Sequence, residues 1–462
     1  MPITSGYLTP HPPVVLPEVG RGRETEISVT SKSLGEAAEK IAAQKPDVII
    51  VITPHGTSYA DYFHISPGGK ASGGFGQFGA PGVKISVSYD ERLAKRIGEK
   101  AEGAGIPAGG LGEKNAALDH GAMVPLYFIG KRIENLTIVR VSLSGLPRLT
   151  HYRFGACIRD AVDELGLNAV IIASGDLSHK LTKDGPYGFA KEGPEFDSLI
   201  MEASKKADFM KFLTVDESFC SAAAECGLGS LVIMAGAFDA RTVRPEFYSY
   251  EGPLGVGYGV CGFYPGGEDE GRRFGKLYGE WNAARKKERK GNESAYVAVA
   301  RRTLESYVRD GKVDEEIANE IPPELAARKA GVFVSLKKDG NLRGCIGTIS
   351  PTKDNVALEI IANAVSSGTR DNRFSPVTAD ELDDIVYSVD VLGEAEPISG
   401  PEMLDVKRYG VIVSCGYKRG LLLPDLAGVD TVEEQIRIAM QKGGIKESEP
   451  YELERFEVVR HC

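Results

Sequence analysis

The sequence predicts an α/β fold: an N-terminal α/β domain with a mostly parallel central sheet, followed by a smaller α+β domain. Three observations carry this. Residues 48–52 are an unbroken β-branched run bounded by Pro46 and Pro54, the pattern of a strand buried on both faces of a sheet and therefore flanked by helices. A shorter apolar and aromatic run, Ile3–Thr9, ends in Pro10 and His11 just as the other ends in Pro54 and His55. Beyond residue 294 the pattern changes to a helix and short strands that pair back on one another, which is α+β.

In chain order, Leu34, Ala37, Ala38, Ile41 and Ala42 place a helix over 33–43. The opening is thus a strand, helix, strand unit with a histidine beyond each strand's carboxyl end, where open α/β sheets put their ligands. Residues 68–82, glycine-rich and carrying Phe75 and Phe78, read as an irregular loop over a site. A strand over 83–88 and the helix Glu91–Gly103 follow. His120 then stands beside Asp119 at the edge of the apolar segment 123–129. A strand over 136–143, a helix over 152–165 and a buried strand after Asn168 come next. That strand delivers Ser174, Gly175, Asp176 and His179 into a polar turn. Residues 196–214 read as a surface helix, 222–238 as a mostly apolar helix and 248–264 as a closing strand. The domains expected are 1–265 and 294–462, joined by a charged linker over 266–293 in which Phe274, Tyr278 and Trp281 pack onto one of them. The second domain opens with a helix carrying Tyr296, Val297, Ala300, Leu304, Tyr307 and Val308. Strands over 331–337 and 344–349, a helix over 355–366, strands over 385–392 and 411–423 and a helix over 432–442 complete it.

Composition narrows the function. The 462 residues carry a formal charge of -10 without the basic clusters that duplex nucleic acid requires, so the expected partners are small molecules or proteins. Seven cysteines form no CxxC pair, which suits a reducing cytosol. The start lacks a basic segment followed by an apolar run, and no apolar stretch approaches a membrane span; a cytoplasmic protein with no membrane partner is expected.

Asx or Ser turns account for Asp176 and Ser178, yet they give no reason for a histidine at each of three strand exits. Glu225 is the only charged residue over 218–238, and a lone buried carboxylate needs a cation or hydrogen bonds to offset its desolvation. His11, His55 and Glu225 therefore match the two-histidine, one-carboxylate set of non-haem Fe(II) oxygen chemistry. Such an iron, or another divalent metal, can hold a catechol and dioxygen in its free positions. His179, titrating near neutrality, suits the base that takes a phenolic proton. Cys226 lies about 100° round the expected helix from Glu225, so one of the two faces the site; as a lone thiol it reads as a small buried hydrophobe.

Gly6 to Pro12, Thr53-Pro54-His55-Gly56, Asp119-His120-Gly121 and 174–179 together resemble the class III extradiol (LigB-type) dioxygenases, a superfamily that also contains the Memo proteins. The resemblance spans about 1–265. It implies that His11 and His55 are iron ligands, that His179 is the base, that His120 contacts substrate or oxygen, and that Glu225 is the helix-borne glutamate. Cys226-Gly227 fits the Memo version, in which a cysteine takes the third place. Residues 294–462 resemble the AMMECR domain through Leu342-Arg343-Gly344-Cys345-Ile346-Gly347, Asp371-Asn372-Arg373-Phe374 and Ser414-Cys415-Gly416. The fusion resembles two parts of the AmmeMemoRadiSam grouping, which implies a radical SAM protein as partner. The expectation is an oxidoreductase acting on a catechol-like aromatic molecule with O2, as a monomer or oligomer. The rival is a Memo-like metal-binding or scaffold protein that turns over no catechol.

In the second domain Arg343, Arg370 and Arg373 are expected to converge on an anion-accepting pocket or partner-docking groove with Cys345 at its wall and no metal, since arginine's planar fork suits carboxylate or phosphate. The alternative is that the arginines are solvated or paired with Asp371 and Glu381.

Overall fold

The computed structural model describes residues 2–462 apart from 115, 116, 339 and 427, and at 318 the backbone only. The chain forms two compact units, Met1–Asn282 and Ala283–Cys462.

The first unit is built on an eight-stranded sheet. From edge to edge it runs Lys70–Phe75, Ala80–Tyr89, Thr137–Ser142, Val48–Thr53, Ala169–Ser174, Ile3–Thr9, Tyr258–Glu268, Arg241–Glu251. Its middle is parallel, and the outermost strand on one side and the last two on the other pair antiparallel. Alternation along Val48–Thr53 explains why the run is apolar throughout. Ile50 and Ile52 enter one core with Leu93, Ile97, Phe154 and Ile233, while Ile49 and Val51 enter another with Leu34, Ile41, Met123 and Val124. Helices therefore cover both faces.

The two strands ending in histidine are not neighbours. Ala169–Ser174 lies between them, in parallel register with both: Ile52 and Leu8 each pair with Ala173. Three strand exits thus stand side by side.

Several elements differ from expectation. The glycine-rich stretch 68–82 is not an irregular loop but the hairpin of Lys70–Phe75 and Ala80–Tyr89. Gly73 serves packing there, since a Cβ would meet Met123 Sδ at 2.5 Å. The stretch 196–214 is two helices, Glu192–Lys206 and Phe209–Thr214. Phe196, Ile200, Phe209 and Phe212 are buried, so it is no surface element. The closing strand is a hairpin of Arg241–Glu251 and Tyr258–Glu268. The helix expected over 222–238 is broken: Glu217–Ala223 ends at Ala224, whose φ of 53° is left-handed, and Leu228–Ala237 starts afresh. The charged stretch 266–293 is mostly helix, Phe274–Asn292, with Phe274 in the first unit's core.

In the second unit a seven-stranded antiparallel sheet runs Asn341–Gly347, Val332–Lys338, Val386–Leu392, Glu452–His461, Tyr409–Cys415, Lys418–Leu422, with Glu396–Ile398 beside Glu452–His461. The helices Ala295–Asp310 and Val356–Thr369 share a core with Val332, Val334 and Leu336. Residues 411–423, expected as one strand, form a hairpin. The strand Glu452–His461 has no counterpart in the expectation because its apolar residues are interleaved with charge.

Candidate metal centre

His11 leaves the strand Ile3–Thr9 with its backbone fixed, its N–H donating to Asp176 Oδ1 at 2.8 Å. Its ring is fixed as well. The Ser174 hydroxyl gives its single hydrogen to the Gly121 carbonyl at 2.6 Å, so at 2.9 Å from His11 Nδ1 it can only accept. Nδ1 therefore carries the proton, and Nε2 turns a bare lone pair toward the site. Burial, then the neighbouring His55, His120 and His179, hold this imidazole well below the usual histidine range, which keeps it neutral.

His55 Nε2 lies 2.9 Å from His11 Nε2. Its backbone N–H is held by Thr53 Oγ1, and burial lowers its pKa as well. Cys226 Sγ is 3.7 Å from His11 Nε2 and 3.7 Å from His179 Nε2. The break between the two helices puts it there. Cys226 N–H donates to the Asp176 carbonyl, and the Asp176 N–H points back at Cys226 Sγ from 3.3 Å. Gly175 and Gly227 make the approach feasible, since a Cβ on Gly175 would sit 2.1 Å from Gly227 Cα. Burial, reinforced by Asp176 and Glu225, pushes the thiol well up.

The donor atoms of His11, His55 and Cys226 all lie within 4.8 Å of one another, and among the described residues no other three or more His, Cys, Asp or Glu converge so. Two imidazole nitrogens and a sulfur fit a borderline or soft divalent ion. A cation there would also supply the charge that a buried thiolate needs.

Glu225, expected as the third ligand, does not belong to this group. Its carboxylate accepts the Leu228 N–H at 2.7 Å, serving the start of the following helix, and burial pushes its pKa up to about 7. The physical reason is the chain break: in a continuous helix the two side chains would compete for one face, whereas here the backbone turns Cys226 inward.

The other expected residues surround the centre. His179 is held by its N–H on the Ala223 carbonyl, and burial lowers its pKa. His120 opens the helix His120–Gly130 and stacks on His55 with centroids 4.2 Å apart; burial, then His55, bring its pKa down to about 4. Asp119 does not bond to His120. It caps that helix at Ala122 N, accepts from Thr53 Oγ1 at 2.6 Å and meets the buried Arg140 at 3.4 Å. Asp176, buried and with its pKa raised to about 7 by that burial, anchors His11.

Sequence reasoning missed Thr53 and Arg140, which fix the His120 helix, and Asp197. The last accepts from Ser178 N and Tyr250 Oη, both at 2.7 Å, and so holds the turn that carries Asp176 and His179. Nothing in the sequence marks Asp197, which reads as one of several acidic residues in a charged, periodic stretch.

In the second unit Arg343 and Arg373 pair with the two carboxylates named as the alternative to an anion pocket. Arg343 gives Nε and Nη2 to Glu381 at 3.0 and 2.9 Å and Nη1 to the Ser375 carbonyl at 2.9 Å. Arg373 is forked onto Asp371 at 2.9 and 2.6 Å. Asp371 also accepts the Cys345 N–H, and Cys345 Sγ accepts from Ser335 Oγ. Arg343 and Arg373 thereby tie the edge strand Asn341–Gly347 to the loop beside it.

Residues 5–261 match the family described as the catalytic LigB subunit of aromatic ring-opening dioxygenase, and residues 297–461 match AMMECR1. A Clostridium acetobutylicum protein is 44% identical over 471 residues, covering 100% of this chain and 99% of its own. A Thermotoga maritima protein is 56% identical over 171 residues, 37% of this chain and 98% of its own. The crystal structure of an uncharacterized protein from Pyrococcus horikoshii, 33% identical, matches 36% of this chain and 88% of its own with a TM-score of 0.33.

Proposed function

Because the chain belongs to the LigB family, with an AMMECR1 domain following, we propose that it is a metal-dependent oxidoreductase whose centre is held by His11, His55 and Cys226. The observation that supports this reading best is the convergence of those three donor atoms at the exits of parallel strands. The metal proposed is Fe(II), which His11, His55 and Cys226 would hold and which would supply Lewis-acid and redox chemistry there. The substrate proposed is a small catechol-like aromatic molecule.

The chain's own groups then have distinct tasks. His179, neutral and beside Cys226, takes a proton from a substrate hydroxyl at Nε2. His120, neutral and stacked on His55, contacts substrate or oxygen from the other side. Asp176 and Ser174 orient His11 through its backbone and Nδ1. Such outer partners set ligand basicity and tautomer. A radical SAM protein is the partner we propose for the whole chain.

One observation favours a second reading. The third donor is a thiol where ring-opening chemistry would call for a carboxylate, and this suits a metal-binding or scaffold protein that turns over no catechol. Metal analysis of protein purified without air, followed by oxygen uptake with catechols, separates the two. One divalent metal per chain with catechol-dependent uptake is the expected result. Metal without uptake favours the second reading, and a chain that takes up no metal refutes both.

A further inference from the structure

The second unit's sheet carries a row of small polar side chains on the face turned away from the helices Ala295–Asp310 and Val356–Thr369. Val334, Leu336, Tyr387 and Val389 enter the core beneath those helices, so the residues alternating with them point the other way. Cys345, Ser335 and Ser388 are directly paired across Asn341–Gly347, Val332–Lys338 and Val386–Leu392, and opposed residues of an antiparallel pair share a face. All three are half-buried. Cys345 is in no disulfide, and the Ser335 hydroxyl donates to its Sγ at 3.2 Å. A thiol that served packing alone would stand among apolar groups; this one stands in a polar row that solvent reaches.

The charges around the row do not balance. Asp371 is forked by Arg373, and Asp390, two residues along the same face from Ser388, is forked by Arg460 at 2.7 and 3.0 Å. Arg373 also donates Nη2 to the Cys345 carbonyl at 3.3 Å, its Nη1 takes part in none of these bonds, and its side chain is 52% exposed. Lys442, in the last turn of the helix Val432–Gly443, adds another cation. Among the described residues it has no ion-pair partner, whereas Lys338 and Lys418 of the same unit are held by Glu381 and Glu449. The charged groups that act on its ammonium are Cys345 and Arg373: desolvation lowers its pKa, Cys345 opposes that and Arg373 adds to it. With each carboxylate matched by an arginine, one positive charge is left over beside the thiol.

We propose that Cys345 is a thiol–disulfide exchange site selective for small anionic disulfides, whose negative groups are received by Lys442 and the exposed edge of Arg373. The Cys345 thiolate attacks one sulfur of the reagent; the new S–S bond forms as the old one breaks, and the departing thiolate takes a proton from water. The disulfide is the oxidant, so Cys345 ends as a mixed disulfide and the other half of the reagent as a free thiol. Partial exposure among cations is the setting in which cysteines react. The site lies wholly in the second unit and does not depend on the metal-dependent reading, whose donors belong to the first.

The test uses the full chain, reduced and freed of reductant, treated at neutral pH with the dianionic disulfide dithiobisnitrobenzoate or the neutral dithiodipyridine. Peptide mass spectrometry locates the adducts, with the exposed Cys462 of the same chain as internal reference. Relative to Cys462, Cys345 should favour the anionic reagent by at least about fivefold, the worth of one unit charge about 4 Å away in water. Lys442→Gln should cut that preference by about the same factor and leave the rate with the neutral reagent unchanged, and Lys442→Arg should keep it. A Cys345 that stays unlabelled in the folded chain, or that shows no preference over Cys462, overturns the proposal. An undiminished preference in Lys442→Gln overturns it as well, and so does an equal loss with both reagents, which marks a change of packing.

Discussion

At the scale of single residues, adjacent side chains have opposite fates. Glu225 caps a helix while Cys226 faces two histidines. Cys226→Ala should lower metal affinity by at least the roughly 10- to 100-fold that even an outer-shell partner is worth, whereas Glu225→Gln should keep full metal content. Equilibrium dialysis against Fe(II) reads both, and a metal-free Glu225→Gln would restore the carboxylate as ligand. His179 is not in the converging group of donors. His179→Ala should therefore retain metal and lose turnover by about 10²- to 10⁴-fold, the worth of a general base; a variant stripped of metal would make it a ligand instead.

At the scale of elements, the site depends on two chain breaks brought into contact: the turn after Ala169–Ser174 and the gap between Glu217–Ala223 and Leu228–Ala237. They touch at Gly175 and Gly227, where backbone meets backbone. Gly175→Ala should cost about 1–3 kcal/mol by overpacking and lower metal content by displacing Cys226. Thermal melting with metal analysis checks it, and a wild-type melting temperature would show that the contact can relax. In the second unit Arg343 ties the edge strand to Glu381 and pulls that carboxyl from 4.5 down to about 2. A carboxyl whose folded pKa is lowered stabilises the fold above its unfolded pKa, and the gain is lost as pH falls through the folded value. The stability difference between wild type and Arg343→Ala should accordingly shrink between pH 4.5 and about 2. Urea melts across that window read it; a difference constant with pH would mean that Arg343 acts through packing alone.

At the scale of the whole molecule, the converging donors lie entirely within the first unit. Metal that binds the folded state only should stabilise that unit by RT ln(1 + [L]/Kd), about 2.7 kcal/mol at about 100 times Kd. Scanning calorimetry of the full chain without air should show that rise and show none in His11→Ala. An equal rise in the variant would place the metal elsewhere. No helix among the described residues is long and apolar enough to cross a membrane.

The two-part architecture, the strands Ile3–Thr9, Val48–Thr53 and Ala169–Ser174, and the histidines at their exits were all legible in the residue pattern. Those features are local: a β-branched run bounded by prolines reads the same in any tertiary setting. Which third donor faces the histidines was settled by the folded chain. The answer turns on a left-handed Ala224 and a glycine contact across 52 positions, Gly175 to Gly227, and an apolar stretch with helical periodicity hides such a break. The folded chain also decided that Arg343 is paired, because Glu381 lies 38 residues away in sequence, and a charge's partner is fixed by distance in space, which periodicity and composition do not encode.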